Sequence, residues 1–217
     1  MNASIENAQE HASLGIPISL LPGGQKGSNS SEWQNTATTD LCEIVRRAEA
    51  NSNLTNYALV AKAESGGFLF LDDDGGIRNA FEAAGGKMLP TRKNRSCSGN
   101  FHYIYRHSKK SLDFQKRINK AYISAPNPDG DGEMWSLRMH NAYILGPGSV
   151  AKNHDGELAE YKTTHRLDII EIPADMLDFL IKNYNSSRQI QKPAVGNQEY
   201  HVPVYTPEMI EGFIVNH

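Results

Sequence analysis

Four apolar residues, Phe68-Leu69-Phe70-Leu71, run directly into Asp72-Asp73-Asp74, with Gly66-Gly67 before them and Gly75-Gly76 after. A short, aromatic-rich run bounded by glycines predicts a buried strand, so the chain must build a sheet around it. Side chains alternate along a strand. Asp72 and Asp74 therefore leave it on one face and Asp73 on the other. Two carboxylates held side by side repel each other unless a cation lies between them. A hard divalent ion such as Mg²⁺ suits that arrangement, because one or two carboxylates plus phosphate oxygens and water complete its shell. A solvated acidic turn after a strand would carry the same residues.

A second signal follows about thirty positions later, in Ser96-Cys97-Ser98-Gly99-Asn100-Phe101-His102-Tyr103-Ile104-Tyr105. Ser and Gly precede a His that opens an aromatic strand. A glycine turn frees backbone N–H groups for an anion, Ser adds a donor, and His can reach a phosphate oxygen. A hairpin turn with one His at a strand start is the plainer alternative.

Bulk composition narrows the function classes. A chain of 217 residues is long enough for one large domain or two small lobes with a real core. The net charge of −3 excludes a wholly basic nucleic-acid binder, so any such surface must be local. The best local patch is Arg92-Lys93-Asn94-Arg95, continued by Arg106, His107, Lys109 and Lys110. Cys42 and Cys97 have neither zinc-finger spacing nor a disulfide framework, and Cys97 reads as a passive thiol of a reducing cytosol. No apolar run approaches membrane-spanning length, and the N-terminus lacks a signal peptide's pattern. The expected location is cytoplasmic, with no membrane partner.

Residues 1–13 read as frayed or helical, and Leu14 to Leu21 as strand-like, entering the turn Pro22-Gly23-Gly24-Gln25-Lys26-Gly27. Residues 28–37 read as a polar loop anchored by Trp33. Thr38-Thr39-Asp40 predicts a helix N-cap before Leu41, Ile44, Val45 and Ala48. Strands are expected over 56–63 and 102–106, a short helix from Ile77 to Ala84, and a basic loop over 91–100. Residues 108–119 are too charged to assign. Tyr122-Ile123 reads as a short strand and 125–132 as a loop rich in turn residues. Glu133–Arg138 and Ala142–Leu145 read as a hairpin around Met139-His140-Asn141. A helix starts near Pro173, residues 185–207 are linker-like, and 207–217 read as a short final helix. The expected division is a domain over 1–184 and a tail over 185–217. Strands in the middle flanked by helices give an α+β class.

In this order the motifs resemble the bifunctional DNA primase/polymerase (prim-pol) domain of the archaeo-eukaryotic primase superfamily, found in plasmid, phage and mobile-element replication proteins. The resemblance rests on four segments and covers about residues 12–182. They are Leu14-Gly15-Ile16-Pro17 through Lys26 with Trp33 and Thr38-Thr39-Asp40; Asp72-x-Asp74; Ser98-Gly99-Asn100-Phe101-His102; and Ala142 through Ser149 with Gly156 and Tyr161 behind it. It implies an N-terminal α/β unit leading into an RRM-like antiparallel sheet flanked by helices. It also implies template-directed nucleotidyl transfer with Mg²⁺ or Mn²⁺, acting on deoxynucleoside or nucleoside triphosphates over a single-stranded DNA template, with a helicase module as partner in cis or trans. By position, Asp72 and Asp74 are implied metal ligands, and Ser98, Gly99 and His102 implied nucleotide-binding residues. Lys26 and the Arg92–Arg95 loop are further candidates for phosphate or template.

The sequence departs from this pattern where a third acid would complete a two-ion site: that position is Ser136. Glu133 is the favoured replacement, with Asp129 and Asp131 as alternatives. An odd offset places Glu133 on the opposite strand face from Ser136 unless a bulge intervenes. A degenerate fold that binds nucleotide or single-stranded DNA without efficient synthesis is the second reading. A metal-dependent nuclease or phosphohydrolase, or a plain binding module, is the third. Trp135 is expected in the core, Tyr103 and Tyr105 with one face in the cleft, and His140, His154, His165, His201 and His217 as exposed polar residues.

Overall fold

The computed structural model describes residues 3–27, 33–127 and 132–190. In chain order its elements are α1 (Ala3–Ser13), β1 (Ile18–Leu21), α2 (Trp33–Thr36), α3 (Leu41–Ala50), β2 (Asn56–Val60), β3 (Phe68–Asp73), α4 (Ile77–Ala83), β4 (Lys93–Arg95) and β5 (Phe101–Arg106). There follow α5 (Lys109–Ile118), β6 (Tyr122–Pro126), β7 (Glu133–Arg138), β8 (Tyr143–Leu145), β9 (Val150–Lys152), β10 (Leu158–Glu160), β11 (Lys162–His165) and α6 (Ala174–Ile190).

The acidic strand β3 is buried along its whole length. It lies inside a six-stranded antiparallel sheet ordered β11-β4-β5-β3-β7-β6. Alternation sorts its side chains into two cores. Leu69 and Leu71 join Tyr103, Tyr105, Trp135 and Leu137 on the face covered by α4 and α6. Phe68 and Phe70 join Ile104 on the other face, against α1 and the residues Ile16, Tyr57, Leu59 and Ile144. Those last belong to or flank a small antiparallel sheet, β1-β2-β8. Each such side chain, once buried, contributes roughly 1.5–3 kcal/mol. The fold is therefore α+β: an α/β lobe of α1, α3 and the small sheet, packed on a helix-backed antiparallel sheet.

Local chemistry sets the helix starts. Asp40 Oδ1 accepts from the backbone N–H groups of Cys42 and Glu43 at 2.9 and 3.2 Å, which caps α3 as its sequence predicts. The undecided segment after Ser108 is helical. Ser108 caps it, Asn119 ends it with φ of 48°, and Ser111, Phe114 and Gln115 form its buried stripe. Charge hid that stripe in the sequence.

Trp33–Thr36 of the expected polar loop is helical, as α2, and three further expectations are corrected. The first is the hairpin of β7 and β8. These strands belong to different sheets: β7 lies between β3 and β6, while β8 pairs with β2. The chain leaves the large sheet because the N–H groups of Met139 and His140 both donate to Ala121 O and that of Asn141 donates to Ala61 O. Asn141 makes the turn at φ of 46°. The second is the basic loop over 91–100, whose residues 93–95 form β4, paired on both sides. The third is the 125–132 loop, since Ala125 and Pro126 continue β6. Helix α6 runs on through Ile190, past the junction placed at 184, and residues 191–217 lie outside the described residues. Asp129 and Asp131 lie outside them as well.

Candidate functional site

Register, not sequence proximity, assembles the polar groups. Across the large sheet Thr163 pairs with Asn94, Asn94 with His102, His102 with Asp72, and Asp72 with Ser136. All five occupy one face, the one turned toward the α/β lobe. Their polar atoms Thr163 Oγ1, Asn94 Nδ2 and Oδ1, His102 Nδ1, Asp72 Oδ1 and Ser136 Oγ are buried without a hydrogen bond among the described residues. Buried polar groups normally find partners. Of the five, Asp72 and His102 reach open space.

The middle of this row borders a cavity of about 230 Å³ lined by Asp72, Asp74, Ser98, His102, Lys26 and Arg138, among others. The strand-end acids thus meet the Ser and His of the second motif, as the sequence predicts. Asp72 is held between two nitrogens: His102 Nε2 lies 3.1 Å from Oδ1, and Arg138 Nη2 donates to Oδ2 at 2.7 Å. Burial pushes its carboxyl pKa up, but His102 and Arg138 outweigh burial and hold it down at about 2. Asp72 is therefore an anion at neutral pH. Asp74, at the exposed end, accepts from Asn100 Nδ2 at 3.0 Å. Its pKa is raised by partial burial and then by repulsion from Asp72. Asp73 turns to the other face, where its Oδ1 accepts from the N–H groups of Gly75, Gly76 and Ile77.

The surrounding loops are fixed by their own bonds. In the Ser96–Asn100 turn, Ser96 N donates to Asn100 O at 2.8 Å and Asn100 N to Ser96 Oγ at 3.1 Å. Gly99 supplies the φ of 93° that this turn requires. Ser96, Ser98 and Asn100 line the cavity, whereas Gly99 shapes the turn and is not among the lining residues. Lys26 is placed by its own carbonyl, which accepts from Tyr143 Oη at 3.1 Å, and by Asn56 Nδ2, which donates to Gln25 O. Ser149 is structural: its hydroxyl accepts from Tyr57 N at 3.0 Å, so it braces β2.

Other sequence candidates fall elsewhere. Arg92 is buried and ion-paired with Glu10, so it is unavailable to a template. Lys93 lies 4.4 Å over the Phe101 ring, and Arg106 4.6 Å over Phe68. The expected basic patch is thus divided among separate surroundings. Tyr103 and Tyr105 face the helix-backed core, not the cleft, because they alternate with His102 and Ile104. Trp135 is fully buried, as expected. A bulge does occur near Glu133. Ala125 pairs with Trp135 and Pro126 with Glu133, so β7 carries one extra residue. Glu133 is exposed and is not among the lining residues.

Two lining residues are not among the site candidates of the sequence. Arg138 shares the face of Ser136 by strand alternation, and period-two counting from Ser136 would have found it. His154 sits on the β9–β10 turn, where Asn153 Oδ1 accepts from Asp155 N and Glu157 N. His154 is exposed, as the sequence predicts, and its place on the cavity rim is set by this turn.

The donors suit one hard divalent ion. Asp72 has a buried oxygen without an aligned hydrogen bond and Asp74 shares its cavity, which leaves the rest of a shell to phosphate and water. Among the described residues no three His, Cys, Asp or Glu side chains are gathered as a metal site. No described helix is long and apolar enough to cross a membrane. Residues 8–175 match the family described as bifunctional DNA primase/polymerase, N-terminal. No protein of curated function matches the chain.

Proposed function

The chain belongs to the bifunctional DNA primase/polymerase family, matched over residues 8–175, and on that footing we propose that it is a metal-dependent, template-directed nucleotidyltransferase of plasmid, phage or other mobile-element replication. One observation carries this reading: Asp72, Asp74, Ser98, His102 and Lys26 line a single cavity although three different segments supply them. Asp72 and Asp74 would hold Mg²⁺ or Mn²⁺. When bound, the ion supplies positive charge at the transferring phosphorus and makes a primer 3′-hydroxyl easier to deprotonate.

The protein's own groups would do the rest. Ser98 and the frame of its turn offer donors to phosphate oxygens, and Lys26, which lines the same cavity, adds a cation. His102, buried between β3 and β4, orients Asp72 through Nε2 and presents its remaining edge to the polar row. Fixed donors of this kind are effective because they need no reorganisation as charge develops. Single-stranded DNA, nucleoside triphosphates and a helicase module in cis or trans are the partners this reading implies.

The second reading, a fold that binds nucleotide or single-stranded DNA with little synthesis, is favoured by Ser136, which faces Asp72 where an acid would otherwise stand. Nucleotide incorporation on single-stranded and primed DNA, with Mg²⁺ and with Mn²⁺, separates the two. Extension by the wild type that is lost in the Asp72→Ala/Asp74→Ala double variant supports synthesis. Folded wild type that binds triphosphate through Asp72 and Asp74 but incorporates nothing supports the binding module. Glu133→Ala, assayed beside them, tests the third-ligand role directly.

A further inference from the structure

Arg138 occupies an unusual place for a surface strand residue. It follows Ser136 by two positions and so shares its face. Its Nη2 donates to Asp72 Oδ2 at 2.7 Å, and its Nη1 donates to Tyr143 O on β8 at 2.8 Å. The guanidinium therefore bridges the two sheets and lies in the cavity wall beside Asp72, Asp74 and Lys26. Its Nε is buried with no hydrogen bond among the described residues, so its donor capacity is not exhausted. Next to it, Ser136 Oγ is also buried and unpaired, and offers an ion only a neutral hydroxyl.

We propose that Arg138 takes the role of a second cation, so that the site binds one divalent ion per nucleoside triphosphate. The inference rests on the nucleotide-binding reading above. Formal charge makes the exchange balanced. Two carboxylates, one divalent ion and one guanidinium carry the same net charge of about plus one as three carboxylates and two divalent ions, and charge match is what a triphosphate site must satisfy. Geometry agrees, since Ser136, which faces Asp72 across the β3–β7 pair, offers no carboxylate to a second ion, and Asp72 Oδ2 is already engaged by Arg138. A planar fork also suits an oxyanion of phosphate, which a guanidinium meets with paired donors.

The test counts ions without requiring turnover. Full-length chain is titrated with Mn²⁺ in the presence of a saturating deoxynucleoside triphosphate carrying an α,β-imido bridge, and free Mn²⁺ is read by electron paramagnetic resonance. One Mn²⁺ per bound triphosphate is expected. Glu133→Ala should leave that ratio unchanged, and Ser136→Asp should raise it to two. Arg138→Ala should weaken triphosphate binding by about 10- to 100-fold, the value of one charge-assisted contact. Arg138→Lys keeps the charge but not the fork, with circular dichroism as the control for folding, and should recover only part of the affinity. Two Mn²⁺ per triphosphate in the wild type, falling to one in Glu133→Ala, would overturn the assignment and restore Glu133 as third ligand. Unchanged triphosphate affinity in folded Arg138→Ala would overturn it as well. Wild type that binds no triphosphate would remove the proposed function and this inference together.

Discussion

Asp73 and Asp72 are adjacent in sequence and differ in purpose, and Asp73→Ala separates the two. Asp73 is buried on the helix side of β3, where its Oδ1 receives backbone N–H groups from Gly76, Ile77 and Gly75 at 3.0, 3.2 and 3.3 Å. Gly76 itself sits at φ of 114° with no side chain to cap α4, so the carboxylate of Asp73 does the capping. A hydrogen bond to a charged acceptor is worth roughly 1.5–3 kcal/mol, and loss of a helix cap costs roughly 0.5–2 kcal/mol. Three donors share one oxygen and two of the bonds are long, so water replaces part of what is lost. The expected cost is about 2 kcal/mol, or a fall of about 4–8 °C in Tm for a domain of this size. Asp73→Asn keeps an acceptor but loses the charge at the helix N-terminus, and should cost about half as much. Thermal unfolding followed by circular dichroism measures the shift, with triphosphate binding read in parallel. Folded Asp73→Ala should still bind triphosphate, whereas Asp72→Ala should not. A Tm within about 1 °C of wild type, combined with lost binding, would refute the division of labour between the two acids.

Gly146→Ala should loosen the small sheet, because a Cβ there would clash with the fully buried Tyr57 ring; a cost of about 3 kcal/mol in urea unfolding is expected. Stability should fall on acidification through His11. Burial first of all lowers its pKa from 6.5 to about 4, so the unfolded chain binds the proton more readily across that window and stability declines as pH drops from 6.5 toward 4. The two-and-a-half-unit difference corresponds to about 3 kcal/mol, and His11→Gln should flatten the pH dependence of urea unfolding over that range. Lys26→Ala should weaken triphosphate binding by about 10-fold and leave Tm within about 1 °C, since its side chain is exposed at the cavity mouth.

Where local chemistry alone decided the outcome, the sequence was readable. Asp40 before an amphipathic run is a cap whatever lies around it, and the apolar strand ending in Asp72 declares both its burial and the faces of its acids. Elements decided by distant partners were not readable. Lys93-Asn94-Arg95 is charged and only three residues long, yet pairing on both sides makes it a strand, with Asn94 fully buried. The four residues between β7 and β8 are the right length for a hairpin, and only bonds from Ala121 and Ala61, remote in sequence, send the second strand to another sheet. The same logic governs the site. Alternation around Asp72 predicted the acids, and motif order predicted His102. The contact of Arg138 with Asp72 spans 66 positions and depends on the β3–β7 register. The bulge at Glu133 likewise leaves no mark in composition.

The exit of the chain from the large sheet into β8 has a consequence for synthesis on the ribosome. Strand β2 emerges early and every one of its residues is buried in the finished fold, but its neighbour β8 begins at Tyr143. Roughly 80 residues separate them, which at about 5–20 residues per second is some 4–16 s of translation. Throughout that interval the nascent chain carries an apolar strand with one edge unpaired. Slower initiation, lower temperature or a holding chaperone should therefore matter more to the yield of this protein than codon choice within β2 itself, and a truncation ending before Leu145 should accumulate as aggregate instead of as a smaller folded lobe.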